Sequence, residues 1–169
     1  TSSFSVAEWV TPSRLHGVLQ MYLAKHSGIA LGGYSKRIIA GNKIEVDLDF
    51  TSGRKIITGT TSLGTNTPAF VCLVVNQSAY PEGYAELYVN NIHNGTVTNL
   101  GTGTINSTTN LTFGYSIAAA GYYFKGYIDE ARIYNKALSQ AEITQLYQLT
   151  SPDQDNIIRA TGHDALSNQ

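Results

Sequence analysis

Residues 123–147 read YFKGYIDEARIYNKALSQAEITQLY, and this stretch sets the architecture. From Tyr123 to Tyr134 it is rich in aromatic and β-branched residues, which favours a strand, and Asn135 supplies the turn signal that ends it. Ile128 and Ile133 are five residues apart, an odd spacing that puts them on opposite faces of a regular strand. Either both faces are covered or a bulge intervenes near Asp129 and Glu130. A short helix follows at once. Ser139 and Glu142 form a capping box, Leu138 and Ile143 a hydrophobic staple, and Ile143, Leu146 and Tyr147 an apolar stripe that Pro152 ends.

Outward from this stretch the chain is punctuated like a β protein. In Lys43 to Phe50, Ile44, Val46, Leu48 and Phe50 alternate with Glu45, Asp47 and Asp49, the pattern of a strand with one wet face. Ala69 to Val75 is apolar throughout and reads as a central strand covered on both faces. Tyr84 to Val89 alternates again and is followed by Asn90 and Asn91, a pair that tolerates positive φ and suits a tight hairpin. Further strands are expected at Ser35 to Ala40, Lys55 to Thr60 and Leu111 to Ile117. With 18 Thr, 12 Asn and 16 Gly among 169 residues, and no helical pattern between these strands, an antiparallel sandwich or jelly roll is favoured over a parallel sheet.

The first segment reads differently. Thr11 and Pro12 fit a helix cap and first position, and Leu15, Val18, Leu19, Tyr22 and Leu23 recur at helical spacing, so an amphipathic helix is expected over 12–26. The domain division is then an N-terminal arm and helix over 1–27, a sandwich over 28–149, and a polar C-terminal tail over 150–169. The stripe of the N-terminal helix packs on the domain's own sheet or docks on a neighbouring subunit.

Eleven Lys and Arg against 12 Asp and Glu give a net charge of -1, so no basic surface recruits nucleic acid. The longest apolar run, Ala69 to Val75, is far short of a membrane span, and no leader pattern opens the chain. A single cysteine, Cys72, precludes a disulfide within the chain. The histidines, His16, His26, His93 and His163, lack metal-ligand spacing, and no serine sits in a nucleophile elbow. Asn76, Asn94, Asn106 and Asn110 each open a glycosylation sequon, at a frequency near chance for this composition.

The 123–147 stretch resembles the C-terminal hallmark of laminin-G-like, concanavalin A-like lectin/glucanase domains, in which G-x-I-D-E-x-R-I-Y-N leads into A-L-S-x-x-E-I and then L-Y. Gly126, Ile128, Asp129, Glu130, Arg132, Ile133, Tyr134 and Asn135 match the first part, and Ala137, Leu138, Ser139, Glu142, Ile143, Leu146 and Tyr147 the second. Weaker similarity reaches upstream through Leu87 to Asn91 and Asn42 to Phe50. The resemblance implies a two-sheet antiparallel jelly roll of about 12 strands, with a concave face that in many relatives binds glycans or proteins. It does not imply catalysis, because the fold hosts enzymes, lectins and structural domains alike.

Three candidate sites follow. Glu45, Asp47 and Asp49 are similar to the E-x-D-x-E strand of glycoside hydrolases on this fold, and paired carboxylates are what retaining hydrolysis requires. The third position carries Asp instead of Glu, one methylene short, and a misplacement of about 1 Å can cost about a hundredfold in rate. The other reading is the polar face of an ordinary strand. Asp129 matches the position of an aspartate that helps hold a structural calcium in those hydrolases; otherwise it caps a turn, or it or Glu130 pairs with Arg132. Tyr122, Tyr123 and Phe124 follow a small-residue loop, and aromatic faces of this kind stack on sugar rings, unless they simply fill the core and rim.

Two functions are carried forward. One is a non-catalytic recognition module that binds carbohydrate or a surface protein in an extracellular adhesion setting. The other is a structural subunit of a virion or surface layer, such as a capsid decoration or tail protein, fastened to copies or assembly neighbours through the N-terminal helix and C-terminal tail.

Overall fold

The computed structural model describes residues 3–15, 17, 19–26, 32–78, 83–101, 103–116 and 121–152. It divides into two units, Thr1–Leu138 and Ser139–Gln169. The first unit holds ten strands: β1 (Phe4–Pro12), β2 (Gln20–His26), β3 (Gly33–Ile38), β4 (Lys43–Phe50), β5 (Gly53–Ser62), β6 (Ala69–Asn76), β7 (Tyr84–Val89), β8 (Ile92–Thr98), β9 (Thr112–Phe113) and β10 (Gly126–Tyr134). They form two antiparallel five-stranded sheets, ordered β10-β1-β6-β7-β8 and β5-β4-β3-β2-β9. Ten strands are thus defined among the described residues, against the dozen or so implied by resemblance.

The alternating patterns explain how the sheets face each other. Ile44, Val46, Leu48 and Phe50 of β4 all enter the core, as do Val71, Leu73 and Val75 of β6 and Ala85, Leu87 and Val89 of β7. Each such side chain contributes about 1.5–3 kcal/mol by leaving water. Strand β6 is central in its sheet and buried along seven of its eight residues, as its unbroken apolar run requires. Asn90 and Asn91 both take positive φ, 51° and 64°, and close the β7–β8 hairpin.

The odd spacing in β10 is resolved by a bulge. Ala7 pairs with Arg132 and Trp9 with Asp129, so three residues of β10 span two of β1, and Glu130 takes a φ of 50°. Ile128 and Ile133 therefore lie opposite Val10 and Val6, both core residues, and share the inner face.

The helix expected over 12–26 does not form. This segment supplies the end of β1 and all of β2, which pair within the two sheets, so it is no separate arm. A bulge explains the misleading pattern. Met21 pairs with Arg37 and Leu23 with Lys36, leaving Tyr22 as the extra residue, so Tyr22 and Leu23 are both buried. Two consecutive inward residues break strand alternation and imitate helical spacing. His16 and Val18 lie outside the described residues, as do Ile117 and the tail from residue 153. The strand expected over 111–117 shortens to Thr112–Phe113, and the one beginning at Tyr123 starts at Gly126.

One polar contact crosses the core. Glu8 and Lys36 are both 0 % exposed, and Lys36 Nζ donates to both Glu8 carboxylate oxygens at 2.9 Å and to the Val6 carbonyl at 2.7 Å. Glu8 lies between the inward residues Val6 and Val10 of β1, and Lys36 between Tyr34 and Ile38 of β3, so strand parity aims both into the space between the sheets.

Along one flank, the edge strands β5 and β8 are joined through Asn94. Its Oδ1 accepts from the backbone N–H groups of Thr60 and Thr61 at 2.9 and 3.2 Å, and its Nδ2 donates to Thr61 Oγ1 at 2.5 Å. Gly59 makes room for this: a Cβ there would sit 2.5 Å from Asn94 Oδ1. The Asn94 sequon is thus buried within the fold.

In the second unit, α1 (Gln140–Thr150) has the expected capping box. The Ser139 side chain accepts from Glu142 N–H, and the Glu142 carboxylate accepts from Ser139 N–H at 2.9 Å. Ile143 and Leu146 are its buried residues. Among the described residues no helix is long and apolar enough to cross a membrane.

Candidate functional site

On β4 the three carboxylates point away from the core, as alternation requires, and meet arginines from both neighbouring strands. Arg37 of β3 donates from Nε to Glu45 Oε1 at 2.9 Å and from Nη1 to Asp47 Oδ2. Arg54 of β5 donates from Nε to Asp47 Oδ1 at 2.6 Å and from Nη2 to Asp47 Oδ2. Thr58 Oγ1 donates to the remaining Glu45 oxygen at 3.1 Å. Asp47 is 1 % exposed and held by two guanidinium groups. A catalytic carboxylate must be presented to its substrate, and Asp47 is instead buried and turned into two guanidinium groups.

Asp49, 2 % exposed, is the least satisfied of the three. Its Oδ1 has no hydrogen bond, and its nearest charged groups are Arg54 Nε at 3.9 Å and His26 Nδ1 at 3.8 Å. Burial, then the neighbouring Asp47 charge, raises its pKa above the ordinary carboxylate value; burial lowers that of the His26 imidazole. The face is therefore an ion-pair lattice of three acids and two arginines, in which both arginines are engaged.

The aromatic candidates lie at the β2–β9 border of the same sheet. Met21 N–H donates to the Tyr122 carbonyl at 2.9 Å, Gly114 N–H to the Tyr22 carbonyl at 2.8 Å, and Phe124 N–H to the Gly114 carbonyl at 2.8 Å. These bonds bring residues 113–115 and 122–124 side by side along β2. Tyr122 and Tyr123 are exposed, Tyr123 at 59 %. Phe124 instead turns inward, packing on the core with its ring 5.9 Å from Tyr22.

Three further exposed rings were not singled out from the sequence, two of them on these segments and the third, Tyr127, on β10 of the other sheet. Phe113 and Tyr115 are both exposed, flanking Gly114 at its φ of 80°, and Tyr127 at the start of β10 is 74 % exposed. The signal was present in Thr112-Phe113-Gly114-Tyr115, where a glycine between two aromatics marks a turn that displays both rings. Four exposed aromatics, Phe113, Tyr115, Tyr122 and Tyr123, on hydrogen-bonded neighbouring segments make a platform of the kind that stacks on flat apolar ligand faces.

Asp129 is exposed on the outer side of β10, where its Oδ1 accepts from the Glu130 N–H at 2.8 Å across the bulge. Glu130 in turn pairs with Arg132. Calcium takes six to eight oxygens. Among the described residues no three acidic, histidine or cysteine side chains converge to hold a metal, so backbone or amide oxygens would have to complete a calcium site at Asp129.

Solved structures with the same fold include carbohydrate-binding domains. The Ruminococcus gnavus sialidase CBM40, bound to α2,3-sialyllactose, superposes with a TM-score of 0.69 at 12% identity, covering 89% of this chain and 83% of that one. The botulinum neurotoxin type G receptor-binding domain gives 0.68 at 18% identity, covering 89% of this chain and 38% of that one. A Bacteroides ovatus protein described as carbohydrate binding gives 0.68 at 18% identity, over 85% and 40%. No curated protein sequence matches the chain. The family model described as the concanavalin A-like lectin/glucanases superfamily matches residues 1–144, β1 and β2 included, and the chain belongs to that superfamily.

Proposed function

We propose that this chain is a non-catalytic carbohydrate-binding module that holds a glycan against the aromatic platform of Phe113, Tyr115, Tyr122 and Tyr123. The observation that carries this reading is the gathering of four exposed rings on adjacent, hydrogen-bonded segments at one border of a sheet. Sugar rings present flat C–H faces that stack on aromatics, and the tyrosine hydroxyls add hydrogen-bonding edges. The sialyllactose-bound neighbour and the carbohydrate-binding protein of the same fold support it. Catalysis by β4 is disfavoured because two arginines hold Asp47 and one of them also holds Glu45. Such a module works outside the cell or at a cell or virion surface, and this reading uses no calcium.

The structural-subunit reading loses one of the two features that favoured it, since residues 4–12 and 20–26 are strands of the sandwich and not a free helical arm; the other, the C-terminal tail, lies outside the described residues. A glycan array probed with the purified chain tests the proposal. Selective binding is expected, with Tyr123→Ala weakening it by about 0.5–1.5 kcal/mol while leaving the thermal midpoint in place. A blank array, in calcium and in EDTA alike, would overturn it.

A further inference from the structure

At one flank of the sandwich the two sheets part and leave a mouth of about 210 Å³. Its floor is made of inward-facing residues at the ends of their strands. Phe4 of β1 and Tyr34 of β3 meet there with ring centroids 5.0 Å apart and tilted by 34°. Ile105 lies beside them, and Ile133 of β10, half exposed, forms the outer lip. The remaining wall is polar: Asn106, Ser107 and the side chain of Lys25.

Lys25 is the charged group of this mouth. Its ammonium donates to the Thr109 carbonyl at 2.8 Å, and among the described residues no carboxylate lies within ion-pair distance of it. An ammonium has three protons to donate, so a partly buried cation without a counter-ion beside an aromatic floor is complementary to an anion that also carries an apolar face. The volume falls below the roughly 300–1,000 Å³ of pockets that hold drug-sized ligands, which limits the occupant to about one ring.

From these features we infer that the mouth is a second subsite, separate from the aromatic platform, that takes one acidic sugar residue. Its carboxylate faces Lys25, its hydroxyls face Asn106 and Ser107, and its C–H face lies toward Phe4, Tyr34 and Ile133. The inference rests on the chain being a carbohydrate-binding module, and it narrows the ligand to glycans that carry a uronic acid or comparable carboxylated unit. The β4 arginines do not compete for that carboxylate, because Arg37 and Arg54 are already bonded to Glu45 and Asp47.

Calorimetric titration of the full chain with glucuronate, glucose and benzoate, with amide chemical shifts recorded in parallel, tests this. Glucuronate is expected to bind and to perturb the amides of Lys25, Asn106 and Ser107, with affinity falling severalfold when salt is raised. Glucose and benzoate are expected to bind at least tenfold more weakly, the first lacking the charge and the second the hydroxyls. Lys25→Met should lower glucuronate affinity at least tenfold. Ile133→Glu, on an exposed side chain that the fold tolerates, should lower it at least fivefold by placing a like charge at the lip.

Glucuronate binding that neither variant weakens, or benzoate binding as tightly as glucuronate, would overturn the subsite. Neutral oligosaccharides that bind through Tyr123 while glucuronate does not would overturn it too and leave the module reading standing. If no carbohydrate binds, both fall together.

Discussion

The molecule solves the same electrostatic problem in two ways on consecutive residues of β3. Lys36 points inward and meets a single acid, Glu8, fully buried between the sheets; Arg37 points outward, pairs with Glu45 and Asp47, and shares Asp47 with Arg54 on a face that is partly exposed. The inner pair is isolated, so each charge has one counter-ion and no substitute. The outer lattice is redundant, so the loss of one member leaves others in place. Chemistry of the residues is similar; strand parity alone decides which arrangement each enters.

The largest effect is expected from breaking the inner pair. Lys36→Met leaves the Glu8 carboxylate buried without a partner and should destabilise the fold by about 3–5 kcal/mol. Adding Glu8→Leu removes the orphaned charge and should recover most of that loss, as read by denaturant unfolding of both variants. A double variant no more stable than the single one would show that the pair is not the cause.

A smaller effect is expected on the outer face. Arg37→Ala removes hydrogen bonds to two carboxylates, yet Arg54 still holds Asp47, so the loss should be about 1–3 kcal/mol. If it equals that of Lys36→Met, the redundancy argued here is absent.

The smallest change should be a gain. Because burial and Asp47 raise the Asp49 pKa from its ordinary 3.8, the folded state disfavours ionised Asp49. Stability from this group is present below 3.8 and is lost as pH rises through its raised folded value. Asp49→Asn should therefore raise the thermal midpoint at pH 7, with the gain shrinking as pH falls toward 4. His26 acts in the opposite sense: with a lowered pKa it favours the fold above its ordinary 6.5 and disfavours it below, and because the Asp49 charge raises the His26 pKa the comparison is repeated in a His26→Asn background. A gain that does not shrink with acid would assign the effect to something other than ionisation.

What could be read from sequence follows the same division between local and distant causes. The β4 alternation, the asparagine hairpin, the capping box and the alternatives for β10 are set by neighbours within a few residues, and each appears in the structure. The first 26 residues were misread because a bulge at Tyr22 made two adjacent apolar side chains face inward, and bulges depend on pairing with a strand elsewhere. Lys36 carries no local sign of burial, since its acid lies 28 residues away on the other sheet. Of the aromatic candidates, Tyr122 and Tyr123 are displayed and Phe124 is core, while Phe113 and Tyr115 lie beside them only because backbone hydrogen bonds gather distant segments.

Asn94 gives the sandwich a spine. By tying the backbone of β5 to β8 it binds the sheets along one flank, much as a book is bound, while the opposite flank ends in the mouth beside Lys25. Thermal breathing then has a direction. Amide hydrogen exchange should be slower around Thr60 and Thr61 than around Asn106 and Ser107, so that the covers open on the side where a ligand would enter.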